Sequence, residues 1–408
     1  MSNLQLNLVY DEKVDYKSDI SAILKDFIYF GNPTIVEIRN KIPFFINEFW
    51  TARQRQGHSL HEVSYRACFK PQLPEFFIER LTNPGDTVYD PFMGRGTTPL
   101  QAVLMRRNAV GNDINPLSSY LVRPRTNPPT IRQIESRLNS LNLDFSGSND
   151  TELLVFYHED TLKQIQSLRR YLIDRQNSGE IDLVDEWIRM VAINRLTGHS
   201  SGFFSVYSLP PNQAVSVGSQ QKINEKRNQI PPFRDVKKII LKKSKSLLKD
   251  ISEEITSSAT FHVGSAEETP YIENSSVDLV VTSPPFLDIV QYANDNWLRC
   301  WFAGMDSADV PITMLRKPED WTAFVSRVFT EFSRIVRPGG HVCFEVGEIR
   351  NGSIQLEDLV IEAMSGLPFD IAGVMINVQE FTKTSNVWGV DNNSKGTNTN
   401  RVIIARRT

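Results

Sequence analysis

Cysteine is scarce in this 408-residue chain: Cys68, Cys300 and Cys343 stand far apart, with no CxxC pair among them. That spacing excludes a disulfide framework and a structural zinc knuckle, and it points to a reducing compartment. The histidines (His58, His61, His158, His199, His262 and His341) show no HExxH or comparable ligand spacing, so no metal is expected. No apolar run approaches about 18 residues, and no charged-then-apolar leader opens the chain. A cytoplasmic protein without membrane contact is therefore expected. Strong net charge is missing too. Lys+Arg 45 against Asp+Glu 48 leave −3, so the overall field does not advertise a nucleic-acid partner.

At 408 residues the chain exceeds a usual single core, so one large elaborated domain or two domains are expected. Its 40% hydrophobic and 23% charged residues are those of an ordinary globular protein. The charge is uneven, however. Lys222, Lys226, Arg227, Arg234, Lys237, Lys238, Lys242, Lys243, Lys245 and Lys249 follow one another, opposed only by Glu225 and Asp235. Such a stripe is either a phosphate-facing surface or the solvated side of a helix whose apolar face is Ile239, Ile240, Leu241, Leu247 and Leu248.

Along the chain, FIYF and FFINEFW give residues 1–57 an aromatic-rich patch, read as an N-terminal helical extension. NPGDTVYDPFMGRGTTPLQAVLMRRNAVGNDINP (83–116) reads turn, strand, Gly-rich loop, helix, strand, which is one βαβ unit. Residues 117–258 carry helical patterns such as LKQIQSLRRYLI and EWIRMVAINRL around a polar, Pro-containing stretch at 208–236. They read as an inserted, mainly helical region with a long loop. From about residue 259 the α/β rhythm returns, with strands at ATFHVGS, VDLVVTS, PGGHVCFEVGE, FDIAGVMINVQEF and RVIIARR and a helix at FVSRVFTEFSRIV.

The βαβ unit reads as a ligand site. TVYDPFMGRGTT places Asp90 at a strand end, then Gly94-x-Gly96, then a helix from about Thr97. Glycines there permit positive φ and close approach of a ligand, and the helix N-terminus presents unpaired N–H groups. NAVGND ends the second strand on Asp113, where an acid is placed to accept both hydroxyls of a ribose. Alternatively, Asp113 caps the helix after the INP turn. A dinucleotide site would want GxGxxG, but the loop is GRGTTP behind Asp-Pro-Phe. An acid beside the ligand suits a cationic cofactor without phosphates, such as S-adenosylmethionine.

Residues 278–286 read DLVVTSPPF, an apolar strand stopped by a serine, two prolines and a ring. Each proline lacks a ladder donor and fixes φ, so the corner is stiff. DPFMGRGTT together with TSPPF resembles the amino-methylating DNA methyltransferases, whose cofactor loop follows DPFxGxGTT and whose catalytic loop follows [DNS]PP[YFW]. The resemblance spans roughly 58–116 and 259–408. It implies an α/β, Rossmann-like methyltransferase sheet with helices on both faces, plus the inserted helical region 117–258 as the candidate DNA target-recognition region. The cofactor half comes first, as in a circular permutant of the arrangement common with a serine-type loop.

The resemblance also implies roles. S-adenosyl-L-methionine is the cofactor, with Asp90, Pro91, Phe92, Gly94, Gly96, Thr97, Thr98 and Asp113 in its loop and strand tips. Lys70 is a candidate for its carboxylate, and Ser265 and Ala266 for its adenine. In the catalytic loop Ser283, Pro284, Pro285 and Phe286 receive the base. The Ser283 side chain and the Pro284 carbonyl accept both N–H bonds of an exocyclic amine and free its lone pair. The prolines fix the direction of the carbonyls. Phe286 stacks on a base flipped from the duplex, because its target atom is unreachable inside it. None of the three cysteines follows a proline, so direct SN2 transfer is expected rather than attack through a thiolate. Serine in the loop leans towards N4 of cytosine in double-stranded DNA over N6 of adenine or an RNA base. A modification enzyme is the expectation, with a cognate restriction endonuclease acting as a separate protein. Asn212, Gln213, Gln220 and Gln221 are candidates for base edges, and 384–401 is a second candidate recognition loop.

Overall fold

The computed structural model describes residues 19–50, 57–65, 68–144, 150–209, 214–252, 254–286, 292–311, 315–347, 354–378 and 399–408. In chain order they form α1 (Ile20–Lys25), β1 (Ile28–Tyr29), β2 (Asn32–Pro33), β3 (Ile35–Arg39), β4 (Ile42–Asn47), α2 (Gln72–Leu81), β5 (Thr87–Asp90), α3 (Thr97–Leu104) and β6 (Asn108–Asp113). A helical stretch follows: α4 (Pro116–Thr126), α5 (Ile131–Ser140), α6 (Glu159–Asn177), α7 (Leu183–Ile193), α8 (Val217–Arg227) and α9 (Val236–Leu247). The chain closes with β7 (Ala259–Val263), β8 (Val277–Thr282), α10 (Tyr292–Ala303), α11 (Pro318–Ile335), β9 (Val336–Val346), α12 (Leu356–Ala363), β10 (Phe369–Val378) and β11 (Thr399–Arg407).

Nine strands form one sheet in the order β3-β4-β10-β11-β9-β8-β5-β6-β7. From β9 through β8, β5 and β6 to β7 all pairings are parallel, whereas β11 runs antiparallel to both β9 and β10. Strand β8 shows why: VDLVVT is buried on both sides, the unalternating pattern of a parallel strand covered twice. One cover contains α1, α2, α3, α10 and the inserted helices, and the other contains α11 and α12. This is the expected α/β sheet with helices on both faces. From β5 the chain goes to β6 and β7 on one side, and it later returns to β8 and β9 on the other. The carboxyl ends of β5 and β8 therefore flank the switch point at which such sheets bind ligands.

Two expectations change. The N-terminal helical extension is mostly strand: residues 19–50 hold one six-residue helix, and β3 and β4 extend the large sheet beside β10. FFINEFW misleads because Phe44 and Phe45 are both buried, on opposite faces of β4, so period-2 alternation is lost. The long loop at 208–236 likewise contains α8, which Ser216 caps through Ser219 N–H and which ends on Asn228 in the left-handed region. Its lack of an apolar stripe hides it, since most of the helix faces solvent. Residues 384–398 of the second candidate recognition loop, and Asn212 and Gln213, lie outside the described residues.

Candidate active site

The glycine loop joins β5 to α3 and is folded by its own hydrogen bonds. Gly96, at φ 79°, precedes α3, and its N–H reaches the Met93 carbonyl at 2.6 Å. A Cβ there would lie 2.1 Å from Val122 Cγ2, so both the backbone angle and the packing require glycine. Gly94 N–H donates to Asp113 Oδ2 at 2.8 Å, and Asn115 N–H donates to Asp113 Oδ1 at 2.9 Å. Asp113 thus ties β6 to the loop, while Asn115 caps α4.

Two arginines unseen in the sequence reading fasten segment 58–70 onto this loop. Arg95 points away from the cleft and donates to the carbonyls of Val63 (2.9 Å) and Phe69 (3.2 Å). Arg125 is fully buried and bonds to the carbonyls of Leu121, Leu60 and Arg95. Burial and the nearby Arg95 charge bring its guanidinium down to about 9. Nothing in RPRTNPP marks that residue as internal.

Across the switch point the two motifs are bonded together. Thr282 Oγ1 donates to Asp90 Oδ1 at 2.6 Å, and Thr98 Oγ1 donates to the Val281 carbonyl at 3.0 Å. Asp90 also accepts from Phe92 N–H at 3.1 Å, and the Thr98 hydroxyl stands near its carboxyl but is spent on Val281, so among the described residues its buried Oδ2 has no hydrogen-bond partner. Burial lifts Asp90 to about 7, against the hydrogen bonds that favour its charge. Burial likewise lifts Asp113 to about 6.

The TSPPF corner is held from both sides. Trp321 of α11 donates its indole N–H to the Pro285 carbonyl at 3.0 Å. On β9, Glu345 is 6% exposed and accepts from Asn400 Nδ2 at 2.9 Å, and the nearby Ser283 hydroxyl favours its charged form. Burial still holds its carboxyl above the usual range. Nothing in the strand pattern HVCFEVGE marks Glu345 for this place. Asn112 was missed altogether. It is fully buried, donates to the carbonyls of Pro91 (3.4 Å) and Gly264 (3.0 Å), and accepts from Tyr271 at 2.7 Å.

These tethers frame one open cleft with about 620 Å³ of empty space. Pro91 and Phe92 line it from the glycine loop, Ile114 from beyond β6, Ser265 and Ala266 from beyond β7, and Pro285 and Phe286 from the corner. Phe324 closes against Phe92, ring centroids 5.9 Å apart. Asp90 and Ser283 stand at the adjoining strand ends. Lys70, Asp90, Gly94, Gly96, Thr97, Thr98, Asp113, Ser283 and Pro284 are not among the lining residues: Lys70 is exposed ahead of α2, Thr97 accepts from Arg95, and Thr98 points to β8. Among the described residues no group of three or more His, Cys, Asp or Glu could hold a metal ion. No described helix is long and apolar enough to cross a membrane.

The N6/N4 methyltransferase family model, described as DNA methylase, matches residues 12–121, from before β1 to within α4. The type II methyltransferase M.BsoBI of Geobacillus stearothermophilus is 22% identical over 305 residues, 67% of this chain and 58% of that relative. M.MjaII of Methanocaldococcus jannaschii is 36% identical over 86 residues, 21% of this chain and 16% of its own length. M.MvaI of Kocuria varians is 27% identical over 128 residues, 31% and 25% of the two chains. The chain therefore spans less than two thirds of the length of these relatives. The matched segment builds the glycine loop, and the loop meets the TSPPF corner in one cleft; over residues 12–121 the chain is similar to the N6/N4 amino-methylating DNA methylases.

Proposed function

We propose that the chain transfers a methyl group from S-adenosyl-L-methionine to the exocyclic N4 amine of cytosine in double-stranded DNA, as the modification component of a restriction–modification system. The observation that carries this reading is the shared cleft: Phe92 of the glycine loop and Phe286 of the corner line it together at the switch point. The residues present fit the cofactor. Gly94 spends its N–H on Asp113 and Gly96 spends its own on the Met93 carbonyl, which leaves neither for a phosphate. The unpartnered Asp90 Oδ2 is an acceptor suited to a cationic ligand. Asp90, Asp113 and the apolar walls at Phe92, Ile114 and Ala266 would hold the group. When bound, S-adenosylmethionine supplies an electrophilic methyl.

The remaining work falls to the chain. In this reading the Ser283 hydroxyl turns its proton towards the nearby Glu345 carboxylate, so its oxygen lone pairs are left for the N–H of a substrate amine. The Pro284 carbonyl is the second acceptor, and the Trp321 bond to Pro285 fixes the corner that carries it. Phe286 stacks on the flipped base.

We assign DNA contact to the inserted helices. On α9 the apolar face is buried, and Lys243 pairs with Glu62 at 3.0 Å. Lys238, Lys242, Lys245 and Lys249 remain exposed at helical spacing, which suits phosphates. Gln220 is not available to read bases: it is buried and bonded to the Tyr207 carbonyl and Asn224. The cognate endonuclease is a separate protein in this reading.

The test is DNA incubated with the protein and labelled cofactor, then digested to nucleosides and resolved by mass spectrometry. N4-methylcytosine is the expected product. N6-methyladenine would overturn the choice of base and keep the site, since both amines use the same two acceptors. Label on RNA alone would overturn the DNA reading.

A further inference from the structure

Between α8 and α9 the chain does something unusual for an exposed turn. Gln229-Ile230-Pro231-Pro232-Phe233 presents two large apolar side chains to solvent, with Ile230 86% and Phe233 50% exposed. Both ends of this turn are pinned. At its start Gln229 donates to the Tyr207 carbonyl at 3.0 Å and to Asn224 Oδ1 at 2.8 Å. At its end Arg234 N–H reaches Thr161 Oγ1 at 2.7 Å, and Val236 N–H reaches Gln164 Oε1 at 2.9 Å. The two prolines stiffen the tip between these anchors and leave it without their backbone donors. Phe233 meets the His158 ring edge-on, centroids 6.0 Å apart, but half of it and nearly all of Ile230 stay in water, which is costly at roughly 25 cal/mol per Å² of apolar surface.

Its surroundings suggest what covers it. Lys222, Lys226 and Arg227 are exposed on α8, with the Arg227 guanidinium 3.8 Å from the Tyr207 ring centroid. Lys238 follows on α9, next to Asp235 at 3.4 Å. On the α6 side Glu159 and Asp160 are both paired with Lys163, at 2.8 and 3.7 Å. An apolar wedge flanked by cations matches a duplex, whose base steps accept apolar side chains while phosphates on either side take ammonium groups. A chain of contacts runs from α8, beside the tip, to α10. Asn224 of α8 donates to the Val155 carbonyl, and the next residue, Phe156, packs on Trp297 of α10 with ring centroids 6.2 Å apart. That helix is the first element after the TSPPF corner.

We propose that Ile230 and Phe233 form a wedge that enters the stacked bases of duplex DNA while Lys222, Lys226 and Arg227 take the flanking phosphates. The proposal rests on the DNA methyltransferase reading and adds the element that deforms the duplex. A wedge that opens a base step lowers the work of flipping the base beside it.

The experiment uses the full chain and a duplex carrying the sequence it is found to methylate, with 2-aminopurine beside the target base. Ile230→Ala/Phe233→Ala should weaken duplex binding about tenfold and remove most of the 2-aminopurine fluorescence gain. Cofactor affinity should stay at the wild-type value and Tm should fall little, because Ile230 is exposed and Phe233 is half-exposed beside His158. Lys222→Ala/Lys226→Ala/Arg227→Ala should weaken binding and flatten its salt dependence while retaining the fluorescence gain at saturating protein. If the wild-type chain methylates DNA and the double variant binds, unstacks and methylates as it does, the wedge is refuted and the methyltransferase reading stands. If the wild-type chain methylates no DNA, that reading fails and takes the wedge with it.

Discussion

At the scale of single residues, the proposed chemistry turns on which way the Ser283 hydroxyl points. A hydroxyl that donates to a carboxylate offers acceptor lone pairs to its other neighbours, whereas a hydroxyl that accepts offers a proton. Glu345 decides between these states. Ser283→Ala should lower kcat by about 10²–10³ while cofactor Kd stays within about twofold, the pattern of a group that acts in the transition state. Glu345→Gln should approach the same loss without touching the substrate, because the amide NH₂ can donate to Ser283 Oγ and turn its proton towards the amine. The double variant should be little worse than either single one, since the two side chains act as a unit. The acid limb of the kcat profile should lie above the ordinary carboxylate range, as burial raises Glu345, and should vanish in Glu345→Gln. Steady-state kinetics with calorimetric cofactor binding decides this. Fully additive losses would leave the serine and glutamate uncoupled.

At the scale of elements, what was legible depended on how far each element's order is written locally. The glycine loop, the TSPPF corner and the strands between them follow from short contiguous patterns, and the sheet they imply is present. The N-terminal strands were not legible, because β4 is buried on both faces and carries no period. Arg95, Arg125 and Asn112 were not legible either, because their partners lie in distant segments and only the fold brings them together. Gly96 was legible as a glycine of a motif, but its packing against Val122 was not. Gly96→Ala places a methyl 2.1 Å from Val122 Cγ2 at φ 79°, and should destabilise the protein by about 2–4 kcal/mol. Adding Val122→Ala should recover only the part due to Cγ2, because Val122 Cβ at 2.5 Å remains, and should leave that contact and the backbone strain of about 1–2 kcal/mol. Thermal denaturation of the two variants separates these contributions. An unchanged Tm in Gly96→Ala would mean that α3 can back away from α4.

At the scale of the whole molecule, the buried carboxyls make stability and cofactor binding oppose one another as pH changes. Asp90 near 7 and Asp113 near 6 both sit above the roughly pH 4 at which the unfolded chain would ionise them. Between these limits the folded protein holds more protons than the unfolded one, so ∂ΔG/∂pH is negative for these two groups. Their contribution is fully present below about pH 4 and is lost as pH climbs through 6 to 7. Asp182 and Glu331, held below their usual range, pull the other way under acid conditions, so total stability does not isolate the effect. Comparison with Asp90→Asn does. Relative to that variant, the wild-type protein without cofactor should lose Tm steadily from pH 4.5 to about 7.5. A cationic ligand favours the ionised carboxyls, so the rise in Tm on adding S-adenosylmethionine should grow over the same window and be nearly flat in Asp90→Asn. If the increment is equally steep in both proteins, Asp90 does not face the cofactor and its unpartnered oxygen has another use. If it is flat in both, the ligand is met by groups that do not titrate there, and the loop binds its cofactor through shape alone.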